Sequence, residues 1–155
     1  MKKLIIFFLL LSISVLSSEA KTNEREVRQF FQDYVRAVNT YQPDIFSKYY
    51  IPNATIYRVV QKKDGTTQRV TVPMNIYKSE SKKGESLAKF VKYTNDYTGI
   101  KITRVNNDFR IDAIRKPSMG GSFPAYFVIG EDNSGDLKIK VESMNTPRQE
   151  FLQKK

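Results

Sequence analysis

Between Val27 and Val59 the chain packs helix, short helix and strand signals into one stretch. Apolar side chains at Val27, Phe30, Phe31, Tyr34, Val35, Val38 and Tyr41 fall at offsets of 0, 3, 4, 7, 8, 11 and 14, which is one continuous stripe on a helix. Such a stripe has to be covered, so this helix must lie on another layer. Asn23 with Glu26 three residues later marks its start as a capping box, with Asn in place of the usual Ser or Thr. Pro43 suits the first turn of a second, short helix, where the missing N–H is not needed. Ile45, Phe46, Tyr49 and Tyr50 supply that helix's buried side, and Pro52-Asn53 ends it. A strand over Ala54 to Gln61 follows at once.

The remaining chain reads mostly as strands. Asp64-Gly65 predicts a two-residue hairpin in which both central positions take positive φ. Val70, Val72 and Met74 alternate on the returning strand, and Pro73 within it predicts an edge position, where a lost donor breaks no ladder. The polar, lysine-rich run from Asn75 to Gly84 reads as a loop, and Leu87, Phe90, Val91 and Thr94 as a third helix running up to Gly99. Ile100 to Val105 and Phe109 to Ile114 are expected strands joined at Asn106-Asn107. The stretch from Pro117 to Gly121 is a flexible link, and Pro124 to Ile129 and Leu137 to Met144 are strands flanking a turn-rich tip at residues 131–135. The order of elements is an α+β pattern of one domain over residues 21–147, with a polar tail over 148–155 expected to fray.

Residues 1–20 carry a separate message. Lys2 and Lys3 precede an apolar run from Leu4 to Leu16, followed by Ser18 and Ala20 in a small-x-small arrangement. This predicts a secretory leader cut after Ala20, hence a periplasmic or secreted protein, and the run is short of the roughly 20 apolar residues that span a bilayer. Loss of Lys2, Lys3 and Glu19 lowers the net charge from +10 to +9. That basic excess is scattered, which describes a solvated surface better than a nucleic-acid groove. The chain has no cysteine and no histidine. Disulfides and a histidine-assisted serine nucleophile are thereby excluded, the usual ligands for zinc and most transition metals are missing, which leaves only an oxygen-liganded site for a hard cation, and no cofactor or metal is expected.

From Tyr34 through Tyr57 the layout resembles the nuclear transport factor 2-like superfamily, which includes ketosteroid isomerases, polyketide-cyclase-like enzymes and many binding or assembly modules. The resemblance implies a cone-shaped α+β barrel: N-terminal helices packed on a bent, mostly antiparallel sheet of about six strands, around a conical pocket. It also implies pairing into dimers through the outer sheet face. An alignment through the Ala54-Thr55 strand start places Tyr34 on the isomerases' oxyanion-donating tyrosine. The same alignment puts Arg58 where those enzymes hold the carboxylate that moves the proton, and a guanidinium cannot serve as that base because it stays protonated. Ser122 to Val128, where a second acid would stand, contains none.

The candidate pocket residues are therefore Tyr34, Arg58, Phe31, Tyr49, Tyr57 and Asp112, none of them assigned a catalytic role. Tyr34 is either a pocket donor or a core aromatic. Arg58 offers bidentate recognition of a carboxylate or phosphate if it shares the inward side with Ile56 and Val60, and faces solvent or a dimer partner if Tyr57 and Val59 point inward. Asp112 and Asp33 are the carboxylates available as an acid or base. The expectation is an exported, non-catalytic binding or assembly module for an apolar or anionic small molecule or an envelope protein. An isomerase, cyclase or dehydratase is the alternative.

Overall fold

In a computed structural model, which describes residues 21–153, three helices pack against a six-stranded sheet. The leader reading lies outside the described residues. Helix α1 (Glu24–Val38) begins at the expected capping box: the Asn23 side chain accepts from the Glu26 amide at 3.1 Å, while the Glu26 carboxylate accepts from the Asn23 amide at 2.9 Å. Its stripe is buried through Val27, Phe31, Tyr34 and Ala37. The second helix, α2 (Pro43–Phe46), is shorter than expected, because a 3-10 turn at Ser47–Tyr49 leads straight into a strand. That strand, β1 (Tyr50–Gln61), starts four residues earlier than Ala54 and absorbs Pro52-Asn53 as an irregularity in its pairing.

The order across the sheet is β2-β1-β6-β5-β4-β3, with β2 (Thr67–Val72), β3 (Asn95–Val105), β4 (Asp108–Pro117), β5 (Phe123–Glu131) and β6 (Leu137–Thr146). All neighbours are antiparallel except β1 and β6, which run parallel. The α+β cone of mostly antiparallel strands is thus present, with an open rather than closed sheet. Its concave face holds the core, where Phe31, Ile56, Ile111, Phe127, Ile129 and Ile139 are all but sealed from solvent.

Of the turns expected at Asp64-Gly65 and Asn106-Asn107, one departs from expectation. The connection at Asp64-Gly65 is a five-residue loop between paired Gln61 and Thr67, and among its residues only Gly65 takes positive φ, at 85°. Asp64 instead accepts from the Thr66 amide and hydroxyl, an Asx-type turn that replaces the tighter form. The Asn106-Asn107 turn is as expected, with Val105 opposite Asp108 and Asn106 at φ 56°.

The largest departure is α3 (Met74–Phe90), which occupies the stretch expected to be strand end and loop. Pro73 is its N-cap rather than a strand residue, although β2 does lie at the sheet edge. The lysines and glutamates that made this stretch look like a loop are helix-surface pairs: Lys83 with Glu80, and Lys82 and Lys89 with Glu85. Gly99 does not end a helix; it sits at φ 62° in an irregularity of the β3–β4 pairing. Helix α3 buries only Met74 and stands away from the sheet along most of its length, leaving Leu87 and Phe90 exposed. No helix of the described residues is long and apolar enough to cross a membrane.

Candidate functional site

The gap beneath α3 is a cavity of about 1360 Å³, bounded by the concave sheet face, the C-terminal end of α1 and a 3-10 turn at Gln149–Leu152. Its wall is largely apolar and aromatic, with Ile76, Tyr77, Tyr97, Phe123, Met144 and Phe151 among the lining side chains.

One polar group dominates the floor. Arg58 and Glu142, on adjacent parallel strands, meet with Nη1 2.8 Å from Oε1, at side-chain exposures of 11% and 0%. Both line the cavity. The Arg58 Nη1 also donates to the Tyr57 carbonyl at 2.9 Å, and Glu142 Oε1 receives no aligned hydrogen bond, so its hold on Arg58 is that of charge. Burial, the largest single influence, pushes the guanidinium's pKa down, but the Glu142 charge together with the Tyr77 and Tyr50 phenols and the Glu142 contact outweighs it, and the net direction is upward. Arg58 therefore remains a cation throughout the physiological range.

The other carboxylate oxygen is met by hydroxyls. Tyr50 donates to Glu142 Oε2, and Tyr34 lies within reach of the same oxygen at 3.1 Å and of the Tyr50 hydroxyl at 2.6 Å. Tyr77, descending from α3, adds a contact of 3.3 Å to Tyr50. The Arg58 guanidinium lies 5.6 Å from the Tyr77 ring and 5.9 Å from that of Phe151, which places the cation against aromatic faces. All three phenols have pKa values raised above the ordinary tyrosine value, first by burial and then by the Glu142 charge. They act as hydrogen-bond donors and do not ionise.

A second polar group stands on the opposite wall. Arg115 alternates along β4 with the buried Phe109, Ile111 and Ala113, and lies directly across from buried Tyr97 on β3, so it shares their inward face. Its Nη1 donates to the Tyr93 hydroxyl and to Asn95 Oδ1, each at 3.1 Å, and Nη2 makes a long contact of 3.4 Å with the Asn145 carbonyl. Asn95 is itself fixed through a reciprocal pair of hydrogen bonds with the Asn39 side chain, at 2.9 and 3.0 Å.

Of the residues singled out in the sequence, Tyr34 and Arg58 line the cavity and the other four do not. Phe31 is buried in the core against Tyr97 and Phe127. Tyr49 packs its ring on Phe30 and Tyr34 behind the wall. Tyr57 points to the other side of β1 from Arg58 and stacks beneath Arg69 at 4.6 Å, because Ile56 and Val60 take the inward parity. Asp112 is outward for the same reason, next to fully buried Ile111, and is held by Arg110. Asp33 is bound to Arg36 on the exposed side of α1. The residues missed were Glu142, Tyr77 and Arg115.

No family model matches the chain, and its sequence matches no curated protein. Solved structures do match its shape. An NTF2-like protein of unknown function from Pseudomonas putida KT2440 is similar at a TM-score of 0.62 and 11% identity, covering 84% of this chain and 91% of that one. The fold is that of the nuclear transport factor 2-like proteins. Another NTF2-like protein, from Cytophaga hutchinsonii, is similar at a TM-score of 0.59 and 11% identity over 81% of this chain and 99% of that one. A CaMKII hub from S. rosetta is similar at 0.56 and 12% identity, over 76% and 92%. The similarity in shape shows the nuclear transport factor 2-like fold, and identities of 11–12% carry nothing further to the cavity.

Proposed function

We propose that this chain is an exported, non-catalytic binding module whose cavity takes an apolar small molecule. The observation that carries this reading is the cavity itself: about 1360 Å³ of largely aromatic and aliphatic lining under a helix that buries only Met74. Pockets that enclose small ligands run from roughly 300 to 1,000 Å³ and are apolar with few polar groups, so a molecule of lipid or polycyclic size fits. The leader-like residues at the N-terminus support export, and no redox or metal chemistry is called for by the side chains lining the cavity.

The enzymatic alternative rests on Glu142, a buried carboxylate in contact with the Tyr34 hydroxyl. Its two oxygens are already committed, one to Arg58 and the other to Tyr50 and Tyr34. A carboxylate whose two oxygens are both engaged by fixed partners presents no free oxygen to a substrate proton. This favours binding over isomerase or dehydratase chemistry. A homodimer through the outer sheet face belongs to the same proposal, supported by the likeness to a protein described as a hub.

The test is a thermal-shift and native mass-spectrometry screen of the purified protein against fatty acids, long-chain alcohols and sterols, repeated with Ala88→Trp, which fills the cavity from α3. Binding is expected in the parent and lost in the variant. A parent that binds none of these molecules, or a variant that binds them as well, overturns the reading. Sedimentation of the same samples reads the dimer.

A further inference from the structure

The two arginines that line the cavity are in opposite situations. Arg58 is neutralised by Glu142 at 2.8 Å. The other charged side chains of the lining are also paired: Glu80 with Lys83, Glu85 with Lys82 and Lys89, and Arg148 with Glu150. Arg115 alone among the described charged lining residues has no carboxylate; its contacts are the neutral oxygens of Tyr93, Asn95 and Asn145, and its Nε is buried without any hydrogen-bond partner. A half-buried guanidinium held in place by neutral acceptors is oriented but not neutralised. Its unsatisfied N–H and uncompensated charge both cost free energy that an anion would return.

We infer that Arg115 is the anion-reading residue of the cavity, and that the ligand is an apolar molecule ending in a carboxylate. The inference rests on the binding reading above and names its ligand class. Tyr93 and Asn95 fix the guanidinium through Nη1, and the Phe123 ring lies 5.2 Å from its Cζ. The planar fork is thus set before a ligand arrives, and little side-chain freedom is lost on binding. Asn95 is buried and locked by Asn39, so this geometry does not depend on a mobile surface side chain. The charge to be met is single, since Arg58 is already balanced. A monoanion leaves the cavity neutral, whereas a dianion would leave one negative charge unmet. Phe123, Met119 and Leu87 line the same cavity and supply apolar surface for the rest of the molecule.

The experiment measures decanoate and decanol binding to the purified protein by calorimetry, with Arg115→Met and Arg115→Lys alongside and thermal melts to confirm folding. Decanoate is expected to bind at least tenfold tighter than decanol. Arg115→Met should abolish that preference, read as the ratio of decanoate to decanol affinity within the same variant, and Arg115→Lys, which keeps the charge without the fork, should retain part of it. Equal affinity of the parent for acid and alcohol overturns the role of Arg115 and leaves the cavity reading standing. A preference that survives Arg115→Met also overturns it. If neither molecule binds, the cavity reading falls and the Arg115 inference with it. Should Arg115→Met fail to fold, the parent's preference and the intermediate value for Arg115→Lys decide.

Discussion

Arg58 on β1 and Glu142 on β6 face one another across the one parallel strand pair of the sheet, with 2.8 Å between Nη1 and Oε1 and almost no solvent at either group. Both charges have been taken out of water, so each depends on the other. Removing one partner from such a pair costs roughly 3–5 kcal/mol, because the survivor is left buried and unpaired. Arg58→Met and Glu142→Gln should each lower stability by that order in urea unfolding. The double variant should recover most of the loss. Additive losses in the double variant would show that the two groups do not depend on each other.

The phenols around that pair predict an alkaline response. Tyr34, Tyr50, Tyr77 and Tyr97 all have pKa values raised above the ordinary value, chiefly by burial and then by the Glu142 charge. In the unfolded chain these groups lose their protons near pH 10, while the folded chain keeps them, so stability is intact below about pH 10 and falls as pH rises above it. Each contributes up to about 1.4 kcal/mol per pH unit there. Absorbance at 295 nm should show these four tyrosines titrating only together with loss of near-ultraviolet circular dichroism. Four additional tyrosines titrating reversibly in the native state near pH 10 would contradict the burial.

Gly84 sits in the middle of α3 with open space where a Cβ would be. Gly84→Ala is expected to raise stability by roughly 0.5–1 kcal/mol, since the helix gains propensity and no clash arises. A loss in denaturant unfolding would mean that α3 is not helical at this point.

Gly130 behaves in the opposite way. A Cβ there would overlap the Asp108 carboxylate and come within 3.0 Å of Lys140 Nζ, the two groups that pair at 2.8 Å across the sheet. Gly130→Ala should therefore cost about 1–3 kcal/mol by overpacking. Asp108→Ala in the same background should return part of that cost, and urea unfolding of the parent and the two variants checks it.

The proposed leader over residues 1–20 gives a simple expectation. Mass spectrometry of protein recovered from the periplasm or medium should give an N-terminus at Lys21, and full-length chain retained in the cytosol would refute the reading.

The helix stripe of α1, its capping box, the Asn106-Asn107 turn and the last two strands were legible because each depends on neighbours a few residues away. Helix α3 was not, since its polar pairs at i+3 and i+4 look the same as a solvated loop when the stripe that would mark a buried face is missing. Arg58 was recognised but its direction was open, because Tyr57, Val59, Ile56 and Val60 make both strand parities apolar. Glu142 was hidden for a different reason. The β5–β6 register shifts between Val128 and Ile129, opposite the stretch from Ile139 to Val141, so buried Ile139 and buried Glu142 are three residues apart instead of an even number. Counting by twos from Ile139 passes over it. Arg115 obeyed the count, alternating with Phe109, Ile111 and Ala113, and was overlooked among the scattered surface cations.

The parallel pairing of β1 with β6 also governs when the cavity floor can exist. Tyr50 and Glu142 are separated by 92 positions in the chain, and every other strand lies between the two they occupy. Contacts of that span close late, after the loop entropy of the intervening chain has been overcome. A polypeptide emerging from its N-terminus can thus complete α1 and the β1–β2 hairpin while Arg58 still has no counter-ion. Only arrival of the last strand brings that charge its counter-ion, so a product truncated before Glu142 would carry a buried arginine with no partner carboxylate from that strand.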